Sequence, residues 1–299
     1  MLDRASTFSD PEVIRLLQTK FIPVAIDQAY HRRQKDAEGR FYQKIANQSP
    51  RKIGEGTTQG HFVATADGAL LGFRNNRGGE RALNLLHSAL RRFDPGRTGA
   101  DPLERGQVDR RYVYAPPDGG LVVRVHAKIL GGYEETENPW RRMFQEGLGR
   151  DNLWVRKDEH DALTEGILPE SLMIRLARFH LVDNTRGEPP MWRREDVREN
   201  RSSLNDGQLN GFVHLKTKGG EREYKADLLG RVEVLDGRVV RFDVVAKGLF
   251  RGEGPYTRGA PKGNFPLAIG FQIADGSDIA DSIPPQGSRG WLDDYIRNR

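Results

Sequence analysis

The run GFVHLKTKGGEREYKADLLGRVEVLDGRVVRFDVVAKGL, residues 211–249, alternates apolar and polar side chains around two turn signals, the pattern of a β meander. Placing Gly219 and Gly220 in the first turn sets Lys218 against Glu221, Leu215 beside Tyr224 and Val213 beside Ala226. At the second turn, a two-residue loop of Asp236 and Gly237 would pair Arg231 with Phe242 and Glu233 with Val240, mixing charge with core. A three-residue loop of Leu235, Asp236 and Gly237 instead keeps each inward pair apolar. It sets Val232 against Val240, Gly230 against Phe242, Leu228 against Val244 and Ala226 against Ala246. Phe242 would then cover the bare backbone of Gly230, with Lys216 facing Glu223 outside.

Two further strands flank this meander. In LVVRVHAKIL, Leu121, Val123, Val125, Ala127 and Ile129 face one way and Arg124, His126 and Lys128 the other. FPLAIGFQI alternates through Leu267, Ile269, Phe271 and Ile273, and Trp291, Leu292, Tyr295 and Ile296 have the spacing of a short closing helix. Five strands suffice for a curved sheet, sandwich or partial barrel. Residues 131–208 read as an irregular insertion, with a helix in ILPESLMIRLARFHLVDN carried by Leu172, Leu176, Phe179 and His180. FDPGRTGADPLERGQVDRR lacks apolar periodicity and marks a linker at about residues 96–111, so the domains are expected at 1–95 and 112–299.

The first third reads as helix, strand, helix, hairpin, helix. Ser9 or Asp10 can cap a helix with Pro11 in its first turn and Val13, Leu16, Leu17 and Phe21 on one face. FIPVAID, residues 21–27, is a short apolar strand that Pro23 confines to an edge. A helix is expected over about 33–47, a hairpin turning at Asp67 and Gly68, and a helix through Ala82, Leu85, Leu86, Ala89 and Phe93.

This order, together with SDPEVIRLLQTKFIPVAID, resembles the later part of a thioredoxin-like domain over about residues 8–93. The resemblance lacks the Cys-x-x-Cys motif, and Thr58, Gln59 and Gly60 stand where that superfamily carries its cis-proline turn. It implies an incomplete thioredoxin-like α/β domain; with the alternating strands described above, the expected fold is α+β, that domain followed by a mainly antiparallel β domain with an irregular helical insertion. The resemblance also implies a non-redox groove near Gln59 and His61, and hence a binding or accessory role towards a protein, peptide or small ligand near the domain junction. His31 with His61 is the acid–base alternative in that cleft.

The chain has no cysteine, which removes disulfide exchange, thiolate catalysis and Cys-ligated metals together. Its 47 Lys and Arg against 42 Asp and Glu give a net charge of +5, interspersed along the length, which argues against nucleic acid as the partner. No apolar run nears the roughly 20 residues of a membrane span. MLDRASTFSDPEV lacks the apolar core of a secretory leader, leaving either the cytosol or a leader outside this chain. No nucleotide, hydrolase, zincin or calcium-loop motif occurs, so no cofactor is expected. The glycine-rich residues 248–264 join two strands and so lack the helix N-terminus of a phosphate cradle.

The strongest enzymatic constellation is RFHLVDNTRGE, which gathers Arg178, His180, Asp183 and Arg186; His180 and Asp183 would serve a hydrolase or isomerase. A metal would need His126 and His214 to converge, with Glu134, Glu135 or Glu137 supplying oxygen. Trp140, Trp154 and Trp192 could line a ligand site in the insertion or anchor its loops.

Overall fold

The computed structural model describes residues 6–26, 28–97, 115–288 and 292–297. These form two compact units, one ending at Arg97 and one beginning at Ala115. The expected linker at 96–111 falls almost wholly outside the described residues, as does Trp291.

In the N-terminal unit, α1 (Pro11–Lys20) is capped by Asp10, whose carboxylate accepts from the amides of Glu12 and Val13. After the one-turn α2 (Gln28–His31) comes α3 (Ala37–Ala46), capped by Asp36, so the helix expected from residue 33 starts four residues later. A Cβ on Gly39 would meet Gln34 at 2.5 Å, which explains a glycine inside this helix. The strands β1 (His61–Ala64) and β2 (Leu70–Arg74) form the expected hairpin, with Gly68 at φ 84° in its turn. Helix α4 (Gly79–Arg92) packs Ala82, Leu86 and Ala89 with Val13, Leu16 and Val63. The strand expected at 21–27 does not form: β1 and β2 make a two-stranded sheet, and residues 21–26 have no place in any ladder.

The C-terminal unit is a curled antiparallel sheet of seven strands in the order β4-β3-β9-β8-β7-β6-β5. These are β3 (Leu121–Ile129), β4 (Asp151–Val155), β5 (Val197–Asn205), β6 (Gln208–Lys216), β7 (Glu223–Leu235), β8 (Arg238–Arg251) and β9 (Asn264–Ile273). Among its helices are α5 (Pro139–Glu146), α6 (Lys157–Thr164), α7 (Glu170–Arg175) and α8 (Leu292–Arg297). The inward side chains of the strands meet Leu163, Leu172, Met173, Leu176, Ala177, Leu181 and Trp192, so the segment after β4 fills the sheet. The insertion at 131–208 is therefore less irregular than its sequence suggests, because it supplies both edge strands.

The first meander register stands as read: Leu215 opposes Tyr224, Val213 opposes Ala226 and Lys216 opposes Glu223. Lys218 and Glu221 belong to a four-residue loop closed by Thr217 N–H donating to Arg222 O at 3.0 Å. The second register differs. Asp236 and Gly237 form the two-residue turn that looked disfavoured, with φ 51° and 70°, the pair of left-handed residues whose twist suits a hairpin. A bulge beside Val234 then leaves Val240 over, 49% exposed, while Val239 turns inward. Phe242 faces Val232, Val244 faces Gly230 and Ala246 faces Leu228, two residues from the expected pairing but with Phe242, Val244 and Ala246 still buried.

Candidate functional site

The segment Arg175–Arg186 is buried throughout, with five ionisable side chains in it. Helix α7 widens at Leu176–His180 into a π turn, closed by Leu181 N–H donating to Leu176 O at 3.1 Å. That turn aims His180 at the sheet edge. Its Nε2 lies 2.6 Å from the Tyr295 hydroxyl, and its Nδ1 lies 3.0 Å from Asp151 Oδ2, ion-pair distance without the alignment of a hydrogen bond. The Tyr295 hydroxyl also accepts from the Trp154 amide at 3.3 Å. Between the Tyr295 hydroxyl and Nε2 the donor is set by the imidazole tautomer: where the hydroxyl donates to Nε2, the ring proton stands on Nδ1, facing Asp151. Burial holds the Tyr295 pKa well above its ordinary value, so the hydroxyl keeps its proton.

An aspartate, an imidazole and a hydroxyl in line have the composition of a catalytic relay. The side chain of His180 is nevertheless 0% exposed and that of Asp151 5%, and Tyr295 packs against Trp154 and Phe179. No substrate atom reaches such a chain without opening the core. Arg175 repeats the theme: fully buried, it pairs with Glu159 and donates to Trp154 O at 3.1 Å and Ile296 O at 3.2 Å. Both backbone polar groups of Trp154, which lie on the free edge of β4, are thus capped by side chains.

His180 and Asp183 do not form the expected dyad. Asp183 Oδ2 instead lies 2.5 Å from Arg186, which also donates to Thr257 O at 3.0 Å and Tyr133 OH at 3.0 Å. The pair ties the loops around Tyr133 and Thr257 to the core. Arg178 donates to Trp192 O at 3.3 Å and stacks on Phe179. His126 on β3 and His214 on β6 have β9, β8 and β7 between them, so the structure does not bring them together as a metal pair. His214 bonds Glu223 at 2.8 Å, and among the described residues no group of three or more His, Asp and Glu is placed to hold a metal.

Trp154 and Trp192 are buried anchors, Trp192 donating to Leu181 O at 2.7 Å beneath Arg222, whereas Trp140 is half exposed at the start of α5. In the N-terminal unit Gln59 is exposed, His61 packs edge-on against Phe8, and His31 stands 3.7 Å from Glu38 and edge-on to Tyr42. A groove of about 500 Å³ in the C-terminal unit has Leu163, Glu165, Asp206, Arg231, Glu233 and Val234 among its lining, away from His180.

What remains open is the stretch read as a strand. Ile22 is 91% exposed, Val24 71% and Ile26 41%, with Pro23 and Ala25 also exposed. Phe21 N–H donates to Leu17 O at 3.3 Å, closing α1, and its ring packs on the α1–α4 core. Beyond it, residues 22–26 make no backbone hydrogen bond among the described residues. Sequence reasoning placed the strand but not its lack of a neighbour, and it missed Asp151 and Tyr295, which lie 29 and 115 positions from His180. Comparison with protein-family models, curated proteins and solved structures gave no match for this chain.

Proposed function

We propose that this is a non-redox binding protein that takes an extended peptide segment of a partner by strand addition along Ile22–Ile26. The observation carrying it is the exposed apolar run whose backbone is unpaired among the described residues, since such an edge is a template for another strand and proteins ordinarily cover or blunt it. In a strand, alternate residues direct both their N–H and C=O groups to the same edge. As a strand, Ile22, Val24 and Ile26 would share one edge, and none of their three donors is used among the described residues. The opposite edge is crippled, because Phe21 N–H is already used and Pro23 has none. One edge is therefore competent for pairing and the other is not.

The enzymatic alternative through His180 and Asp183 loses its support in the separate pairing and burial of those residues. The thioredoxin-like reading of residues 8–93 belongs to the same proposal: a hairpin and helices retained as a scaffold, with the strand FIPVAI left for a partner. The test is amide hydrogen exchange on the whole chain with and without a Val/Thr-alternating peptide. Protection is expected at Ile22, Val24 and Ile26; unchanged exchange at all three would falsify the site.

A further inference from the structure

We infer that the segment added at Ile22–Ile26 is an acidic one, its apolar alternation flanked by carboxylates; this rests on the strand-addition reading above. The charge of the chain is unevenly divided. Residues 3–113 carry 19 Lys and Arg against 13 Asp and Glu, a net +6, while the remaining residues carry 28 against 29, a net −1. The whole positive excess thus belongs to the part that holds the open edge.

Its local distribution points the same way. Lys20 ends α1 immediately before the run, and Arg33 and Lys35 follow it just past α2. All three are exposed, and none has an ion pair among the described residues, unlike Arg15 with Glu12 on the same unit. From residue 20 to residue 35 the sequence carries four cations, Lys20, Arg32, Arg33 and Lys35, against one carboxylate, Asp27, and this excess around an apolar edge favours a partner that brings carboxylates of its own. The same charge disfavours a second copy as the occupant, because antiparallel self-pairing about Val24 would match Ile22 with Ile26 but bring two units of +6 together.

The experiment measures binding of fluorescein-labelled Glu-Glu-Val-Thr-Val-Thr-Val-Glu-Glu to the full chain by anisotropy, beside the same peptide with Gln or Lys at its four flanking positions. Three weak exposed ion pairs predict about tenfold tighter binding of the Glu peptide than of the Gln peptide at low salt. The Lys peptide should bind more weakly still, and high salt should collapse the differences. Lys20→Glu combined with Arg33→Glu should reverse the order of Glu and Lys peptides.

Val24→Pro removes the central donor of the competent edge and should abolish binding of all three, whereas Ala25→Pro, on the crippled edge, should leave it intact. Both positions are exposed, so melting curves matching wild type will show that the fold survives. Equal affinity for the Glu and Lys peptides, lost in Val24→Pro, would overturn acid selection and leave strand addition standing. Binding indifferent to Val24→Pro, or no binding of any peptide, would overturn both. Tighter binding of single-stranded DNA than of the Glu peptide, or a dimer dissociated by Val24→Pro, would replace the acidic peptide by nucleic acid or by a second copy.

Discussion

Replacing Tyr295 by phenylalanine deletes one oxygen atom and strands two buried polar groups. The hydroxyl stands 2.6 Å from His180 Nε2 and 3.3 Å from the Trp154 amide, with all three residues essentially without solvent contact. The ring keeps its shape, so no cavity opens and the packing against Phe179 and Trp154 survives. What is lost is satisfaction: a buried group left without its partner costs about 1–3 kcal/mol, and the longer bond to Trp154 belongs at the lower end. The sum is about 2–4 kcal/mol, which for a unit of this size lowers the melting temperature by roughly 4–16 °C. Guanidinium and thermal unfolding of the full chain, followed by circular dichroism, would show a lower midpoint at unchanged slope. If the variant melted within about 0.5 kcal/mol of wild type, the Asp151–His180–Tyr295 chain would not be holding the edge of β4. A neutral or stabilising result is what removal of a functional group under strain produces, so it would reopen a catalytic reading of His180.

Three other outcomes test the sheet. Phe242→Asp buries a charge opposite Val232, and by the usual cost of an unpaired interior charge, on the order of 4 kcal/mol or more, the C-terminal unit should fail to fold; native-like circular dichroism would contradict the register. A Cβ on Gly248 would collide with Lys225 O, whereas one on Gly270 of the adjacent strand meets nothing within 4 Å. Gly248→Ala should therefore cost about 1–3 kcal/mol and Gly270→Ala nothing measurable by denaturant melts. Hydrogen bonds from Arg124, and after them from Arg150, hold the Asp281 carboxyl below its ordinary value of 3.8. A carboxylate depressed on folding contributes stability that is complete above its unfolded pKa and lost as pH falls through the folded value. The unit should therefore be insensitive to Asp281 titration from about pH 7 to 5 and lose stability below about pH 4, with Asp281→Asn flattening that acid limb.

The sequence disclosed more of the faces than of the pairings. Val123, Val125, Ala127, Leu267, Ile269 and Phe271 sit inward as their alternation requires, because period two is a property of the backbone itself. The β7–β8 register escaped because two local preferences conflict. The turn prefers two left-handed residues, the core prefers apolar pairs, and a bulge that leaves Val240 over satisfies both. No pairing of straight strands contains that solution. The edge strands were hidden for opposite reasons: DNLWV is buried on both faces and does not alternate, while VRENRSSLN is too polar to announce a sheet.

The candidate site divides along the same line. Arg178, His180, Asp183 and Arg186 were visible as a polar cluster at a helix end, but the partners that make them structural, Asp151, Tyr295, Tyr133 and Thr257, come from elements brought close only by the sheet. Composition cannot distinguish a relay from a rivet; enclosure can. FIPVAI shows the converse, since its residues satisfy every local criterion for a strand and still form none. A strand exists only as a member of a ladder, and this stretch, with Ile22, Val24 and Ile26 exposed, has no backbone partner among the described residues. On the proposal above another segment supplies the missing member, and Lys20, Arg33 and Lys35, without an ion pair among the described residues, set the charge that segment should carry.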